Sequence, residues 1–145
     1  MYRVKKLAFV FACLVFLTTA LCQTASAIEL SPQASLYLSN YGARLYQGSS
    51  SGTISVEFTV SATEDSDLVG VSNISIYKED GTFVTSVRGS VGNRFLDTDT
   101  KTHIGYYTYR GEVNTVYYMV LTMYAERDGG SDYRLYTTNN CRAPA

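Results

Sequence analysis

One histidine, one lone cysteine, a scatter of carboxylates and an excess of tyrosine are the side chains with which this chain could do chemistry. Nucleophilic catalysis by a Ser-His-Asp relay would have to use His103 as its proton shuttle. That residue opens the stretch HIGYYTYRG, and no G-x-S-x-G elbow stands beside it. A structural histidine is the expectation. Zinc needs three or four soft ligands, more than His103 and Cys141 can furnish. Glycoside hydrolysis needs two facing carboxylates, yet most acids here fall in expected loops: Glu64, Asp65 and Asp67 in one, Asp97 and Asp99 in another, Asp128 and Asp132 around the last hairpin. Glu57 lies on the polar face of its strand. The runs Asp97-Thr98-Asp99-Thr100 and Glu64-Asp65-Ser66-Asp67 offer the oxygens calcium prefers, without the glycine and terminal glutamate of an EF-hand. No catalytic residue, metal site or cofactor is therefore expected.

Tyrosine is different. Twelve of the 13 tyrosines lie in residues 28–145, and tryptophan is absent. A tyrosine buries a large ring and keeps one polar handle, so most should fill strand faces and cross-strand pairs. Some could instead form an exposed strip like those of antibody paratopes. Tyr106 and the pair Tyr118 and Tyr124 are the candidate ligand-binding residues.

The ends of the chain give an address. Arg3, Lys5 and Lys6 precede the apolar run LAFVFACLVFLTTAL, and Ala25-Ser26-Ala27 follows. That order is a secretory signal peptide over residues 1–27, and its run is shorter than the roughly 20 residues of a membrane span. Leu21 ahead of Cys22 does not fit a lipoprotein signal. An extracellular protein without membrane insertion is expected after cleavage. Residues 28–145, 118 in all, suit one domain. With Arg3, Lys5 and Lys6 gone from 12 basic side chains, 13 acidic ones leave a net charge of −4 and no basic cluster, which disfavours nucleic acid. Cys13 and Cys22 leave with the signal, so Cys141 has no internal disulfide partner and reads as a free thiol near the tail.

The elements that would position these side chains are strands. In GTISVEFTVSAT, residues 52–63, Ile54, Val56, Phe58, Val60 and Ala62 alternate with polar residues, the period of a half-buried strand. Similar bias marks residues 34–47, and 71–80 with 82–87 reads as a hairpin turning at Asp80-Gly81. Residues 88–102 show no period and read as the longest loop, with Phe95 and Leu96 tucked inward. A tyrosine-rich strand follows over 103–111. Then VYYMVLTMYAERDGGSDYRLYTT forms a long hairpin turning at Asp128-Gly129-Gly130. Both faces of its first strand are largely apolar or aromatic, which predicts a central place in a sheet.

About seven strands with regular turn signals and no helical period predict an all-β, Greek-key β-sandwich, with a closed barrel as the alternative. The spacing Tyr117-x-Met119-x-Leu121 ahead of a hairpin resembles the penultimate strand of fibronectin type III and immunoglobulin-like domains. There a tyrosine near the strand start bonds back across the corner, a structural role that the resemblance gives to Tyr117. The signal peptide, SLYLSNYGARL, GTISVEFTV, His103 at a strand start, and YY-x-V-x-T-x-YA followed by GSD-x-R-x-x-TTN together resemble a family of small exported proteins of gut Firmicutes whose function is unassigned. The resemblance implies a fold and an address but no activity. The functional expectation is a secreted non-enzymatic domain that binds a protein or cell-surface ligand. A carbohydrate-binding module, weakened by the lack of tryptophan, and a small hydrolase with an unrecognised carboxylate pair are the alternatives.

Overall fold

In the computed structural model, which describes residues 35–145, every regular element is a β-strand. The expected leader and the first residues of the expected domain lie outside the described residues. In chain order the strands are β1 (Leu38–Gln47), β2 (Thr53–Ser66), β3 (Leu68–Lys78), β4 (Phe83–Arg88), β5 (Leu96–Asp97), β6 (Thr100–Arg110), β7 (Val116–Arg127), β8 (Gly130–Thr137) and β9 (Cys141–Arg142). β5 and β9 are two-residue pairings. One antiparallel sheet has the order β1-β2-β6, and the other has the four-stranded order β4-β3-β7-β8, extended to six by β5 beside β3 and β9 beside β7. The two sheets share one core, as in a β-sandwich.

Alternation of side chains builds that core. Because successive residues point to opposite faces of a strand, Ile54, Val56, Phe58, Val60 and Ala62 of β2 all turn inward and are buried. Tyr117, Met119, Leu121, Met123 and Ala125 of β7 meet them from the opposing sheet. Burying each large apolar side chain contributes about 1.5–3 kcal/mol. β3 departs from strict alternation: Val69 and Val71 are buried, and so are Ile74 and Ile76. A register shift between Val71 and Asn73 against β7 supplies the extra residue. Such a bulge reverses the phase, so both pairs face the core.

Two expectations need correction. Glu64 and Asp65, read as loop, lie in β2, and only Asp67 separates β2 from β3. The register of β2 on β6 breaks between Ser61 and Ser66, and there the chain bends from one sheet into the other. Its charges are used locally: Glu64 pairs with Arg127, and Asp67 Oδ2 accepts the Asp128 N–H at 2.9 Å. The C-terminal residues are also not a loose tail. Cys141 pairs with Tyr117 where β8 no longer covers β7. Ala143 is buried, its N–H donates to the Thr115 carbonyl, and its carbonyl accepts the Asn114 N–H.

The hairpin of β7 and β8 turns through Asp128 (φ 53°) and Gly129 (φ 77°) between the paired Arg127 and Gly130. Two positive φ values give the two-residue turn whose twist matches the strands. β7 is central among its hydrogen-bonded neighbours, β3 and β8. Only one of its faces is core, however, since Tyr118, Val120, Thr122 and Tyr124 are half-buried.

Tyr117 fixes the approach to β7. Its ring is 1% exposed and lies edge-on to Tyr109 with centroids 5.7 Å apart. Its hydroxyl accepts the Glu112 N–H, five residues upstream, at 2.9 Å. A Cβ on Gly111 would stand 2.5 Å from that oxygen, so glycine is required there by close approach. At the other end of the sheet, Asp132 accepts hydrogen bonds from the Ser35 hydroxyl and the Leu36 N–H, and Arg134 faces it at 2.8 Å. Partial burial pushes the Asp132 carboxyl up, but the Ser35 hydroxyl and the Arg134 charge outweigh it and hold the group below its ordinary value.

Tyr117→Phe keeps the ring but leaves the Glu112 N–H without its partner, which costs about 1–3 kcal/mol. Urea unfolding should show that loss as a lower midpoint at unchanged slope, and an unchanged midpoint would mean that the hydroxyl's bond to the Glu112 amide adds no stability.

Candidate functional site

The described tyrosines divide by the parity of their positions. Tyr37, Tyr41, Tyr107, Tyr109, Tyr117 and Tyr136 belong to or pack against the core. Tyr46 and Tyr106 lie on the outward face of the three-stranded sheet. Tyr77, Tyr118, Tyr124 and Tyr133 lie on that of the four-stranded one. The candidate residues are therefore not one strip. Tyr106 stands on the opposite sheet from Tyr118 and Tyr124, which are six residues apart on β7, about 20 Å at 3.4 Å per residue.

On the four-stranded sheet, Tyr118 stacks on Tyr77 with centroids 5.2 Å apart and an interplanar angle of 11°. Phe83, 56% exposed, meets Tyr77 edge-on at 5.6 Å. Toward the other end, Tyr124 pairs with Tyr133 and Thr122 with Leu135; Tyr133 is 63% and Leu135 67% exposed. The Tyr124 hydroxyl donates to Glu126 at 2.6 Å, and burial, then this carboxylate, pushes the phenol up. The face thus carries two aromatic clusters, Phe83, Tyr77 and Tyr118 at one end and Tyr124, Tyr133 and Leu135 toward the other, with polar Ser75, Asn73, Thr122, Ser86 and Arg88 between and beside them. Phe83 and Leu135 had no part in the sequence reading. Their signal was available, since each is directly opposite or diagonal to a tyrosine once the hairpin registers are drawn.

On the three-stranded sheet, Tyr106 is 60% exposed and its hydroxyl donates to Glu57 at 3.3 Å across the strands. The Glu57 charge, chiefly, raises that phenol. Beside β6 the loop between β4 and β6 borders a cleft of about 590 Å³ lined by Val91, Arg94, Asp97, His103, Ile104 and Tyr106, among others.

His103 anchors that loop. Its Nε2 is 2.9 Å from the Arg94 carbonyl, and a carbonyl only accepts, so Nε2 carries a hydrogen. Its Nδ1 faces Asp97 Oδ2 at 3.6 Å, and its ring packs near Phe58 with centroids 6.0 Å apart. Arg94 takes a left-handed conformation, φ 60°, to present its carbonyl. The Arg94 carbonyl thus occupies Nε2, the position a nucleophile would take in a Ser-His-Asp relay, and Nδ1 faces a carboxylate. Among the described residues no three His, Cys, Asp or Glu side chains converge in a metal-binding group. Asp97, one of the calcium candidates, faces His103 instead, and Glu64, another, faces Arg127.

No protein-family model matches the chain, and no curated protein does. Among solved structures it is similar to a family 76 glycoside hydrolase from a bovine Bacteroides thetaiotaomicron strain, with a TM-score of 0.46 and 13% identity over 74% of this chain and 20% of that one. It is also similar to the Lactobacillus rhamnosus beta-glucuronidase, with a TM-score of 0.37 and 14% identity over 73% of this chain and 15% of that one. The chain thus spans a fifth or less of each enzyme.

Cys141 is buried in its pairing with β7, and burial pushes its thiol up from the ordinary value. Less thiolate and little access both slow alkylation. Iodoacetamide should label the native protein far more slowly than the urea-unfolded chain, and the native protein should run as the same species with and without reductant. Equal labelling rates would contradict the burial.

Proposed function

We propose that this protein is an exported, non-enzymatic recognition domain of the fibronectin type III or immunoglobulin-like kind, which holds a protein or cell-surface partner on the outward face of its four-stranded sheet. One observation carries the reading: aromatic and apolar side chains line that face along β7 and its flanking strands. They are Phe83, Tyr77 and Tyr118 at one end, Tyr124, Tyr133 and Leu135 at the other, and three of them are more than half exposed. Exposed aromatics grouped on a rigid sheet are the anchors that interfaces use, because a ring buries much area and loses little rotamer freedom.

Support for the domain type comes from the strand order. β1, β2 and β6 in one sheet against β4, β3, β7 and β8 in the other resembles the strand distribution of such sandwiches and supports that type. The Tyr117 hydroxyl reaching back to the Glu112 amide has the form of their tyrosine corner. The basic, apolar and A-x-A order of residues 1–27 supports export, and with it the resemblance to small exported Firmicutes proteins. The Arg94 carbonyl at His103 Nε2, where a relay would need a serine hydroxyl, weighs against a hydrolase relay.

Pelleting the protein with insoluble bacterial cell wall and with mucin tests the reading. The variants are Tyr133→Ala and Leu135→Ala, whose side chains are exposed enough to spare the fold, alongside a Tyr118→Ala, Tyr124→Ala double variant. Retention should fall at least tenfold in each variant, as expected for interface anchors worth more than about 1.4 kcal/mol. Undiminished retention of the folded variants would overturn the assignment of this face.

A further inference from the structure

The outward face of the three-stranded sheet carries a second, independent set of observations. Reading its rows across β1, β2 and β6 gives Tyr46, Ser55 and Thr108; then Arg44, Glu57 and Tyr106; then Gly42, Thr59 and Ile104; then Asn40, Ser61 and Thr102. Arg110 stands beyond the first row, opposite Thr53. A shallow depression of about 430 Å³ lies over Gly42, bordered by Asn40, Arg44, Glu57 and Thr59.

Gly42 is not there for the fold. It sits inside β1, where glycine costs roughly 0.5–1 kcal/mol against alanine. A Cβ built on it meets nothing within 4 Å, and its φ is not positive. No turn, bulge or close approach demands a glycine, so what its absent side chain provides is open surface.

The cations on this outward face are also unspent. Arg44 is directly opposite Glu57 in the register, yet among the described residues neither Arg44 nor Arg110 makes an ion pair, while Glu57 takes the Tyr106 hydroxyl. The outward positions of this sheet thus hold two free guanidinium groups against one carboxylate, on a chain whose formal net charge is negative. The four-stranded sheet's outward positions balance Arg88 against Glu126. Tyr46 and Tyr106, 38% and 60% exposed, stand on the two outer strands in adjacent rows, and each presents a ring.

We propose that this face binds a polysaccharide whose sugars carry carboxylates. The C–H face of a pyranose packs on the Tyr106 ring and another on Tyr46. The open floor over Gly42 admits a sugar edge against the strand, where Asn40 and Thr59 exchange hydrogen bonds with its hydroxyls. Arg44 and Arg110 take the carboxylates, Arg in the planar bidentate geometry that matches them. The three strands span about 10 Å, and the shallow, open floor over Gly42, flanked by Arg44 and rings on both outer strands, suits an extended charged glycan better than a single inserted protein side chain. The proposal uses the opposite sheet from the recognition face above and does not rest on that reading.

Affinity electrophoresis of the purified protein tests it, in gels cast with polygalacturonate, with neutral galactan and with poly-L-glutamate. Polygalacturonate should retard the protein, and the other two should not. Gly42→Val is the informative variant. It fills the depression, suits a strand and has room, so its melting temperature should match or exceed that of the parent while retardation falls at least tenfold. An Arg44→Ala, Arg110→Ala double variant should lose retardation too, and Tyr133→Ala should keep it. Absence of retardation, equal retardation by galactan, equal retardation by poly-L-glutamate, or full retardation of a folded Gly42→Val variant would each overturn the proposal.

Discussion

A strand gives the core every second residue, and this domain has no disulfide among its described residues to supplement what those residues bury. That constraint governs the rest. Ile54 through Ala62 of β2 and Tyr117 through Ala125 of β7 each commit one complete face to the interior, and neither strand contains a proline or an inward charge. The remaining face of each strand is then not needed to fill the core, and its contacts, such as the Tyr118 stack on Tyr77, lie outside it. The outward rows of both sheets vary in chemistry because the inward rows already secure the fold, and this separation lets one small domain present two different surfaces.

The borders of the sandwich are closed by hydrogen bonds rather than by further apolar layers. His103 ties the loop between β4 and β6 to the edge of the three-stranded sheet through the Arg94 carbonyl, with Phe95 buried beneath it. The C-terminal residues close one end, where Gly52, at φ 73°, donates to the Pro144 carbonyl. Asp132 secures the chain ahead of β1. Each closure uses one polar side chain or backbone group on each partner, and among the described residues no buried side-chain nitrogen or oxygen is left without a hydrogen bond. Polar satisfaction of this kind matters because each orphaned buried group would cost about as much as a large apolar side chain contributes.

Much of this was legible in the residues. The period of two over 53–62 and over 117–124 identified both central strands, and Asp80-Gly81 and Asp128-Gly129 identified the two hairpins, because these signals are local. What stayed hidden depended on contacts between distant segments. The bulge beside Ser72 leaves no mark in VSNISIY, since either phase of that run offers apolar residues. Glu64 and Asp65 read as loop because their charges find partners only when the β7–β8 turn comes alongside. Tyr106 could not be told from Tyr107 by composition: one position decides whether a ring faces the core or solvent, and only the register on β2 sets it. Gly42 is the opposite case, a residue whose oddity shows only once the space above it is seen to be empty.

Native-state hydrogen exchange by NMR tests the central claim, that paired inward faces of β2 and β7 carry the fold while outward faces and borders are free to serve other ends. Backbone amides of β2 and β7 should exchange only through global unfolding, at a free energy equal to that from urea, and those of β4, β8 and the loop between β4 and β6 should open at lower cost. If β2 and β7 exchanged more readily than these border elements, the core would not lie where alternation places it, and the division of labour between the faces would fail with it.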